Sequence, residues 1–168
     1  MKASINLSLA ALLLISTSIA CQAQQAPPAQ QQNRPPVVRA LTPEQQASLD
    51  KQDQDIGQAA MEIIKLIDQD KAGVVWDQGS PVAKQIVSRD DFVKKVAQDR
   101  SPLGQPGLRM PMGVRHYRYD GSGNIPAGAY INVRFDTQFS RSNRTRSETV
   151  SFILDSDRVW RFVGYSVS

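Results

Sequence analysis

The chain has 168 residues, of which 40% are hydrophobic and 21% are charged, and its formal net charge is +4. This small charge does not provide the dense basic surface of a nucleic-acid-binding protein, so we expect no nucleic acid among its partners. With one cysteine and one histidine, the chain lacks the residues for an internal disulfide or a cysteine–histidine metal centre, and we expect no metal and no cofactor.

The first twenty residues have the three parts of a secretory signal peptide. Lys2 precedes an apolar run over residues 7–15, and small residues then lead to Ala20. The run is shorter than the roughly 20 apolar residues that a membrane-spanning helix needs. We therefore predict a signal peptide over residues 1–20 of a bacterial protein that is periplasmic or membrane-anchored.

The only cysteine, Cys21, follows this segment directly. The sequence Ser-Ile-Ala-Cys at residues 18–21 is similar to a bacterial lipobox, although the lipobox usually begins with leucine where Ser18 stands. Lipidation of Cys21 would tether the protein to a membrane. Ordinary signal-peptide cleavage after Ala20 or Ala23 is the alternative, and cleavage after Ala23 removes the cysteine. The sequence leaves both routes open.

Residues 21–40 are rich in glutamine and proline and have almost no large apolar side chains. Such a segment cannot bury enough surface to fold, so we predict a disordered linker. Its prolines favour an extended spacer. Residues 41–168 remain, and their number is typical of a single domain with one hydrophobic core.

Helical periodicity dominates the first half of this domain. Thr42 and Gln45 have the spacing of a capping box, which predicts the start of a helix that continues to about Asp70. Two shorter helical segments follow, over residues 71–80 and 81–87, and the first brings Trp76 toward the core. Ser88 then begins another helix. The apolar stripe of the long helix comprises Ile56, Ala59, Ala60, Ile63, Ile64 and Ile67.

A two-residue periodicity begins after Pro106 and predicts strands. The first strand is an irregular edge strand, because Pro111 and Gly113 interrupt it. Further strands are predicted around residues 131–135, 150–154 and 159–167, with short polar connections between them. We therefore predict an α+β domain whose N-terminal helices pack on one face of a curved four-stranded antiparallel meander. In the first strand, one face is predicted to carry Leu108, Met110, Met112 and Val114.

The connection between the last helix and the first strand contains two glycines and two prolines between Arg100 and Arg109. A phosphate-binding loop follows a strand and opens a helix, whereas this loop follows a helix and opens a strand. We therefore predict a bend, in which Pro102 stops the helix and Gly104 and Gly107 supply the backbone angles. The two arginines can pair with acidic groups of the domain itself.

Few residues are candidates for binding or catalysis. His116, the only histidine, lies close to Tyr117 and Asp120 and can in principle act as an acid or base, although its position predicts a solvent-facing strand residue. Arg141 and Arg144 lie in a basic connection that follows two phenylalanines, a pattern that can hold an anionic group. No set of residues has the spacing of a catalytic centre, and we assign no catalytic residue.

Several short motifs occur in an order typical of one bacterial family. They are Ile67-Asp68, Trp76, Arg100, Leu103-Gly104, Arg109, Pro126-x-Gly128-x-Tyr130, Phe135, Phe139, Glu148 and Trp160-Arg161-x-x-Gly164-Tyr165. Over roughly residues 55–168 the chain resembles the domain-of-unknown-function 4019 family. The resemblance implies an exported bacterial protein with no assigned activity and no catalytic residues to carry over. The predicted architecture is also similar to nuclear transport factor 2-like and cystatin-like folds, and the former use the space between helix and sheet for ligands or catalysis.

Two hypotheses on function follow. The first is an exported envelope protein that acts as a non-catalytic binding or interaction module, with an unidentified envelope protein or envelope component as its partner. The alternative is a small-molecule pocket or an enzyme site between helix and sheet, with His116, Tyr117 or Asp120 near its mouth. This alternative requires that core side chains such as Trp76 and Phe152 do not fill that space. The sequence does not indicate an oligomeric state.

Overall fold

A computed structural model of the protein describes residues 40–122 and 125–168. The predicted signal peptide, Cys21 and the linker up to residue 39 lie outside the described residues. No helix in the described part of the chain is long and apolar enough to cross a membrane. The elements in chain order are α1 (Pro43–Asp68), α2 (Ala72–Asp77), α3 (Pro81–Ile86), α4 (Arg89–Arg100), a 3₁₀ turn (Ser101–Leu103), β1 (Pro106–Tyr119), β2 (Gly128–Phe139), β3 (Arg146–Leu154) and β4 (Trp160–Val167).

Helix α1 begins at the predicted capping box. The Gln45 backbone N–H donates to Thr42 Oγ1 at 3.3 Å, and the Thr42 N–H donates to Gln45 Oε1 at 3.0 Å. These bonds satisfy backbone donors that the first helical turn leaves free. The predicted stripe is confirmed in its buried part, since α1 covers the core with Ile56, Ala60, Ile64 and Ile67, while Ala59 is exposed.

The three shorter helices are also where the sequence predicts them. Ser80 Oγ accepts a hydrogen bond from the Val82 N–H at the start of α3, and Ser88 Oγ accepts one from the Asp91 N–H at the start of α4. Trp76 lies half-buried against the core, and its indole N–H donates to the Val87 carbonyl at 3.2 Å. These caps explain why α3 and α4 begin after the serines, whereas α2 has no side-chain cap.

The four strands form one antiparallel sheet in the order β1-β2-β3-β4. The predicted α+β meander with helices on one face is therefore confirmed. Alternation turns Ile131, Val133 and Phe135 of β2 toward the helices, where they pack with Val150 and Phe152 of β3. The face toward the helices is the core, and the opposite face, which we call the open face, carries the alternate residues of each strand.

The predicted side-chain orientation along β1 is wrong. Met110 is 49% exposed, and Leu108 and Met112 are exposed as well, whereas Arg109 and Val114 lie half-buried on the helix side. The register of β1 against β2 shifts between Pro111 and Gly113, so this bulge leaves one extra residue and reverses the alternation. Leu108, Met110 and Met112 therefore lie outside the core, and only Val114, which follows the bulge, turns toward the helices.

The connection from α4 to β1 is the predicted bend. Gly104 has φ 78° and ψ −159°, a backbone region that only glycine adopts readily, and an added Cβ would lie 2.4 Å from Ser140 Oγ. The Arg141 N–H donates to the Leu103 carbonyl at 2.9 Å, which fixes the loop against the end of β2. Gly107, by contrast, has no positive φ, so the prediction that it supplies a special backbone angle is wrong.

Candidate functional site

A network of charged and hydroxyl side chains lies at the end of the core where α1 and α4 finish. Six elements contribute one residue each: Asp68 of α1, Arg100 of α4, Arg109 of β1, Thr137 of β2, Glu148 of β3 and Tyr165 of β4. The two arginines from the ends of the glycine- and proline-containing loop thus meet acids of the domain itself, as predicted.

Glu148 is the centre of this network and is fully buried, with 0% of its side chain exposed. Its Oε1 accepts hydrogen bonds from Arg100 Nη1 and from the Tyr165 hydroxyl, both at 2.5 Å. Its Oε2 accepts one from Arg109 Nε at 2.8 Å and another from the Thr137 hydroxyl. Four donors from four elements therefore surround one carboxylate, which is the arrangement that a buried charge requires.

Asp68 bridges the same two arginines at the edge of the network. Arg109 Nη1 donates to Asp68 Oδ2 at 3.0 Å and Arg109 Nη2 donates to Oδ1 at 3.3 Å, while Arg100 Nη2 also donates to Oδ1. Each arginine side chain is only 11% exposed. Two guanidinium groups and two carboxylates thus balance in charge.

The pKa shifts follow from burial and from these contacts. Burial lowers the pKa of Arg100, but Tyr165, Glu148 and Asp68 outweigh that effect, so the pKa lies above its usual value. Burial raises the pKa of Tyr165 strongly, and the neighbouring Glu148 carboxylate raises it further against the opposing effect of Arg100. Tyr165 therefore remains a neutral hydrogen-bond donor at physiological pH.

The contacts of the network indicate that it stabilises the fold. Within residues 40–122 and 125–168, every buried side-chain nitrogen or oxygen has a hydrogen-bond partner. The buried charged groups of the network are therefore hydrogen-bonded to one another. In the same residues, no three histidine, cysteine, aspartate or glutamate side chains are grouped to hold a metal ion. The network joins two helix ends to all four strands.

A different site lies on the open face of the sheet, near the connection between β1 and β2. It is a groove of about 370 Å³ that is open to solvent. Its described lining contains no charged residue. The lining comprises Ile86, Tyr117, Tyr119, Ile125, Pro126, Tyr130, Asn132, Ser151, Val163 and Gly164, and we call this set the open-face groove.

The walls of the open-face groove are apolar and held in place by tyrosine hydroxyls. Tyr130 Oη donates to the Pro126 carbonyl at 2.7 Å, and Tyr119 Oη donates to the Ser122 carbonyl at 2.6 Å. These bonds hold Ser122 and Pro126, on either side of residues 123–124, close to the strands. Ile86 at the end of α3 contributes to the lining on the β4 side. Tyr117 is 45% exposed, so its ring is accessible from solvent.

The floor of the open-face groove combines two polar side chains with an open position. Asn132 and Ser151 are cross-strand partners on β2 and β3, and neither side chain hydrogen-bonds to another described residue. Ser151 is in turn paired with Gly164 of β4, next to a shift in strand register. A Cβ added at Gly164 would meet only the Ser151 Cβ, at 4.0 Å. The glycine therefore leaves the floor open.

The structure does not bring the five candidate residues of the sequence together. Only Tyr117 lines the open-face groove. His116 lies on the other face of β1, with Nε2 2.6 Å from Asp53 Oδ1 of α1, and Asp120 is exposed in the following connection, where it accepts a hydrogen bond from the Ser122 N–H.

The other two candidates, Arg141 and Arg144, are exposed in the connection between β2 and β3, at the opposite end of the sheet. Arg141 borders a cleft of about 340 Å³ that also contains Asp68 and Arg100. Those two residues are already bound within the network. The predicted anion site around Arg141 and Arg144 stays a prediction.

The space between helices and sheet, where a pocket was the alternative hypothesis, is filled by side chains. Ile64 of α1 meets Ile131, Val150 and Phe152 of the sheet there, and Trp76 packs against this cluster. A cleft of about 270 Å³ remains at its margin, where α1 and α2 face β4. This is below the roughly 300 Å³ at which small-molecule sites begin.

Comparison with known proteins shows where the chain belongs. Residues 59–165 match the model of the family described as "Protein of unknown function (DUF4019)". The chain belongs to the domain-of-unknown-function 4019 family. No curated protein and no solved structure matches it. The likeness to nuclear transport factor 2-like and cystatin-like folds stays a prediction.

Eight of the residues that carry the likeness to the domain-of-unknown-function 4019 family fall in two places in the structure. Asp68, Arg100, Arg109, Glu148 and Tyr165 form the ionic network. The groove lining contains Pro126, Tyr130 and Gly164. Alternation along β4 alone would put Gly164 on the same face as the buried Phe162. The register shift between Ser151 and Phe152 turns Gly164 to the open face instead, so the sequence pattern does not reveal this separation.

Proposed function

We propose that the protein is an exported envelope protein that binds a small, largely apolar ligand without catalysing its conversion. The open-face groove carries this proposal. Its volume of about 370 Å³ lies within the roughly 300–1,000 Å³ of small-molecule sites, and its apolar walls with a few polar groups are typical of them. Asn132 and Ser151 supply the polar groups on the floor.

Binding is favoured over catalysis because the groove and the ionisable groups are separate. General acid–base catalysis needs a group with a suitable pKa within hydrogen-bond reach of the reacting atom. The described groove lining offers only tyrosines as ionisable groups, and burial together with Tyr119 raises the pKa of Tyr130 above its usual value. The buried acids and arginines lie on the opposite face and are already paired.

Ligand binding in the groove can be tested by thermal unfolding of the full chain against a set of small apolar compounds. A ligand of the folded state raises the unfolding midpoint in a saturable manner. The variant Gly164→Val fills the open floor, so we expect it to abolish such shifts. Ser166→Val, an exposed substitution on the same face of β4 and outside the groove lining, is the matched control and retains them.

Two results would contradict a ligand site in the groove. One is a set of compounds that leaves the midpoint of the unmodified chain unchanged throughout. The other is a compound whose shift is the same in the unmodified chain and in Gly164→Val, because such a compound binds elsewhere.

Export is supported by the signal-like residues 1–20, and the tether by the lipobox-like residues 18–21. Full-length protein is expressed in a bacterial host, and spheroplasts are treated with protease. Degradation of the protein is the expected result, whereas protection would contradict export. Labelling with a palmitate analogue decides between the two routes: label that Cys21→Ser abolishes supports the tether, and unlabelled, soluble periplasmic protein supports ordinary cleavage.

A further inference from the structure

A second depression lies beside the open-face groove. It measures about 230 Å³ and is lined by Met112, Gly113, Val114, Arg115, Tyr117, Asn132, Arg134 and Thr149. Two of these residues, Tyr117 and Asn132, also line the groove. The two depressions therefore share a border and form one elongated surface, with an apolar end and a polar end.

The polar end is positively charged. Arg115 and Arg134 are the only charged residues in its described lining, and Arg115 forms no ion pair with another described residue. Arg134 is half-exposed, and its Nε lies 3.8 Å from Asp136 Oδ1, a distance at which an exposed pair contributes little. These arginines differ from those of the buried network, since most of their hydrogen-bonding capacity remains available to a ligand.

Strand register explains why the charges lie next to the groove. Arg115 of β1 is opposite Asn132 of β2, which is opposite Ser151 of β3. Arg134 lies two residues beyond Asn132 along the same face of β2. The Asn132 amide therefore lies at the boundary between apolar walls and cationic side chains, where it can donate to or accept from the polar head of a ligand.

Gly164 is a further indication that the surface is shaped for a ligand. Glycine within a strand costs stability relative to alanine, and this position has neither a positive φ nor a steric conflict that requires glycine. The effect of the glycine in this structure is to keep the groove floor open. An aliphatic chain or a ring can lie there.

We propose that the open-face groove binds a free anionic amphiphile, with its apolar part between the tyrosine-lined walls and its acidic head at Arg115 and Arg134. This inference rests on the proposed function and specifies the ligand class of the same site. A carboxylate or phosphate head matches two guanidinium groups that lack strong partners. A neutral head leaves those groups to solvent, and a cationic head is repelled by them.

Three probes with the same tail test the assignment: decanoate, decanol and decyltrimethylammonium. Their affinities for the full chain are measured by isothermal titration calorimetry at low and moderate salt, below the concentrations at which they aggregate. We expect decanoate to bind about tenfold more tightly than decanol, which corresponds to two exposed charge pairs. The cation binds most weakly. The preference for decanoate decreases as salt is raised.

Two double variants separate specific recognition from overall charge. Arg115→Gln/Arg134→Gln removes the two cations at the groove and is expected to reduce the affinity for decanoate to that for decanol, with decanol unaffected. Arg141→Gln/Arg144→Gln removes the same charge at the other end of the sheet and leaves both affinities unchanged. Gly164→Val abolishes binding of both probes, and Ser166→Val does not.

The outcomes distinguish this inference from the proposed function. If decanol and decanoate bind equally, or if both double variants weaken decanoate to the same extent, the anionic assignment is wrong and the apolar groove remains. If neither probe binds the unmodified chain, both proposals fail. If vesicles of anionic phospholipid compete for the protein better than free decanoate does, the ligand source is a membrane surface, and the assignment to a free amphiphile is overturned.

Discussion

The substitution Glu148→Gln perturbs the ionic network at its centre. It keeps the size and shape of the side chain but removes the negative charge and replaces one acceptor oxygen with an amide donor. Every partner of Glu148 in the network is a donor: Arg100, Arg109, Thr137 and Tyr165. The new amide group therefore faces donors, and two buried guanidinium groups are left with Asp68 as their only carboxylate.

The magnitude of the effect follows from burial. Glu148 is fully buried and each arginine side chain is 11% exposed, so water cannot replace the lost contacts. Removing one partner of a buried ion pair costs about 3–5 kcal/mol, because the remaining charge is left uncompensated. Because Asp68 still binds both arginines, we expect the lower end, about 3 kcal/mol. At roughly 4 °C per kcal/mol, this loss lowers the midpoint of thermal unfolding by about 12 °C.

The assay is urea unfolding at neutral pH, followed by tryptophan fluorescence, with the slope of the transition compared as well as its midpoint. Glu62→Gln is the matched control, because Glu62 Oε1 lies 2.7 Å from Lys65 Nζ in an exposed pair along α1. The free energy of unfolding of this variant should fall by no more than about 0.5 kcal/mol. If the two variants lose the same stability, or if Glu148→Gln loses less than about 1 kcal/mol, the reasoning about the buried network is refuted.

Three further predictions concern single positions. Gly104→Ala should lower the free energy of unfolding by about 1–3 kcal/mol, because the backbone region of Gly104 is nearly specific to glycine. Gly107→Ala should change it by no more than about 0.5 kcal/mol, and equal losses of the two variants in urea unfolding would contradict this. Ser88→Ala removes the N-cap of α4 and should lower the free energy of unfolding by about 1 kcal/mol; an unchanged urea midpoint would contradict a stabilising cap. Tyr165 keeps its proton in the folded state, where its pKa is raised, while the unfolded chain releases that proton above about pH 10. Stability should therefore fall by up to about 1.4 kcal/mol per pH unit above that pH, and less steeply in Tyr165→Phe; parallel pH profiles of unfolding free energy would refute the assignment.

Local signals explain how much of the fold could be predicted from the sequence. The capping box at Thr42, the serine before α4 and the polar connections between strands act over a few residues, so they can be read directly. The orientation of β1 could not be read in this way. Pro111 and Gly113 indicated irregularity, but which residue would be left unpaired depends on the register against β2, and that register is set by tertiary packing.

The candidate site was less accessible to sequence reasoning. The sequence predicted that Arg100 and Arg109 pair with acids of the domain, but the choice of Asp68 and Glu148 depends on how distant elements meet. The alternative hypothesis placed a ligand site between helix and sheet by analogy of fold, and fold alone does not locate a site. The open-face groove takes one or two residues from each of four strands, a helix end and a connection, and its assembly depends on how these distant segments meet.

In the proposed function, the two faces of the sheet separate stability from ligand binding. Along β3, Glu148 points into the core, while the next residue, Thr149, lines the second depression on the open face. Because the network on the core face holds the strands by bonds between buried groups, the open face can carry a strand-interior glycine such as Gly164 and exposed arginines such as Arg115 and still remain ordered. This arrangement implies that Gly164→Val alters binding at unchanged or higher stability, whereas Glu148→Gln lowers stability before it alters binding. If the ligand affinity of both variants instead decreased in proportion to their loss of unfolding free energy, this separation would be contradicted.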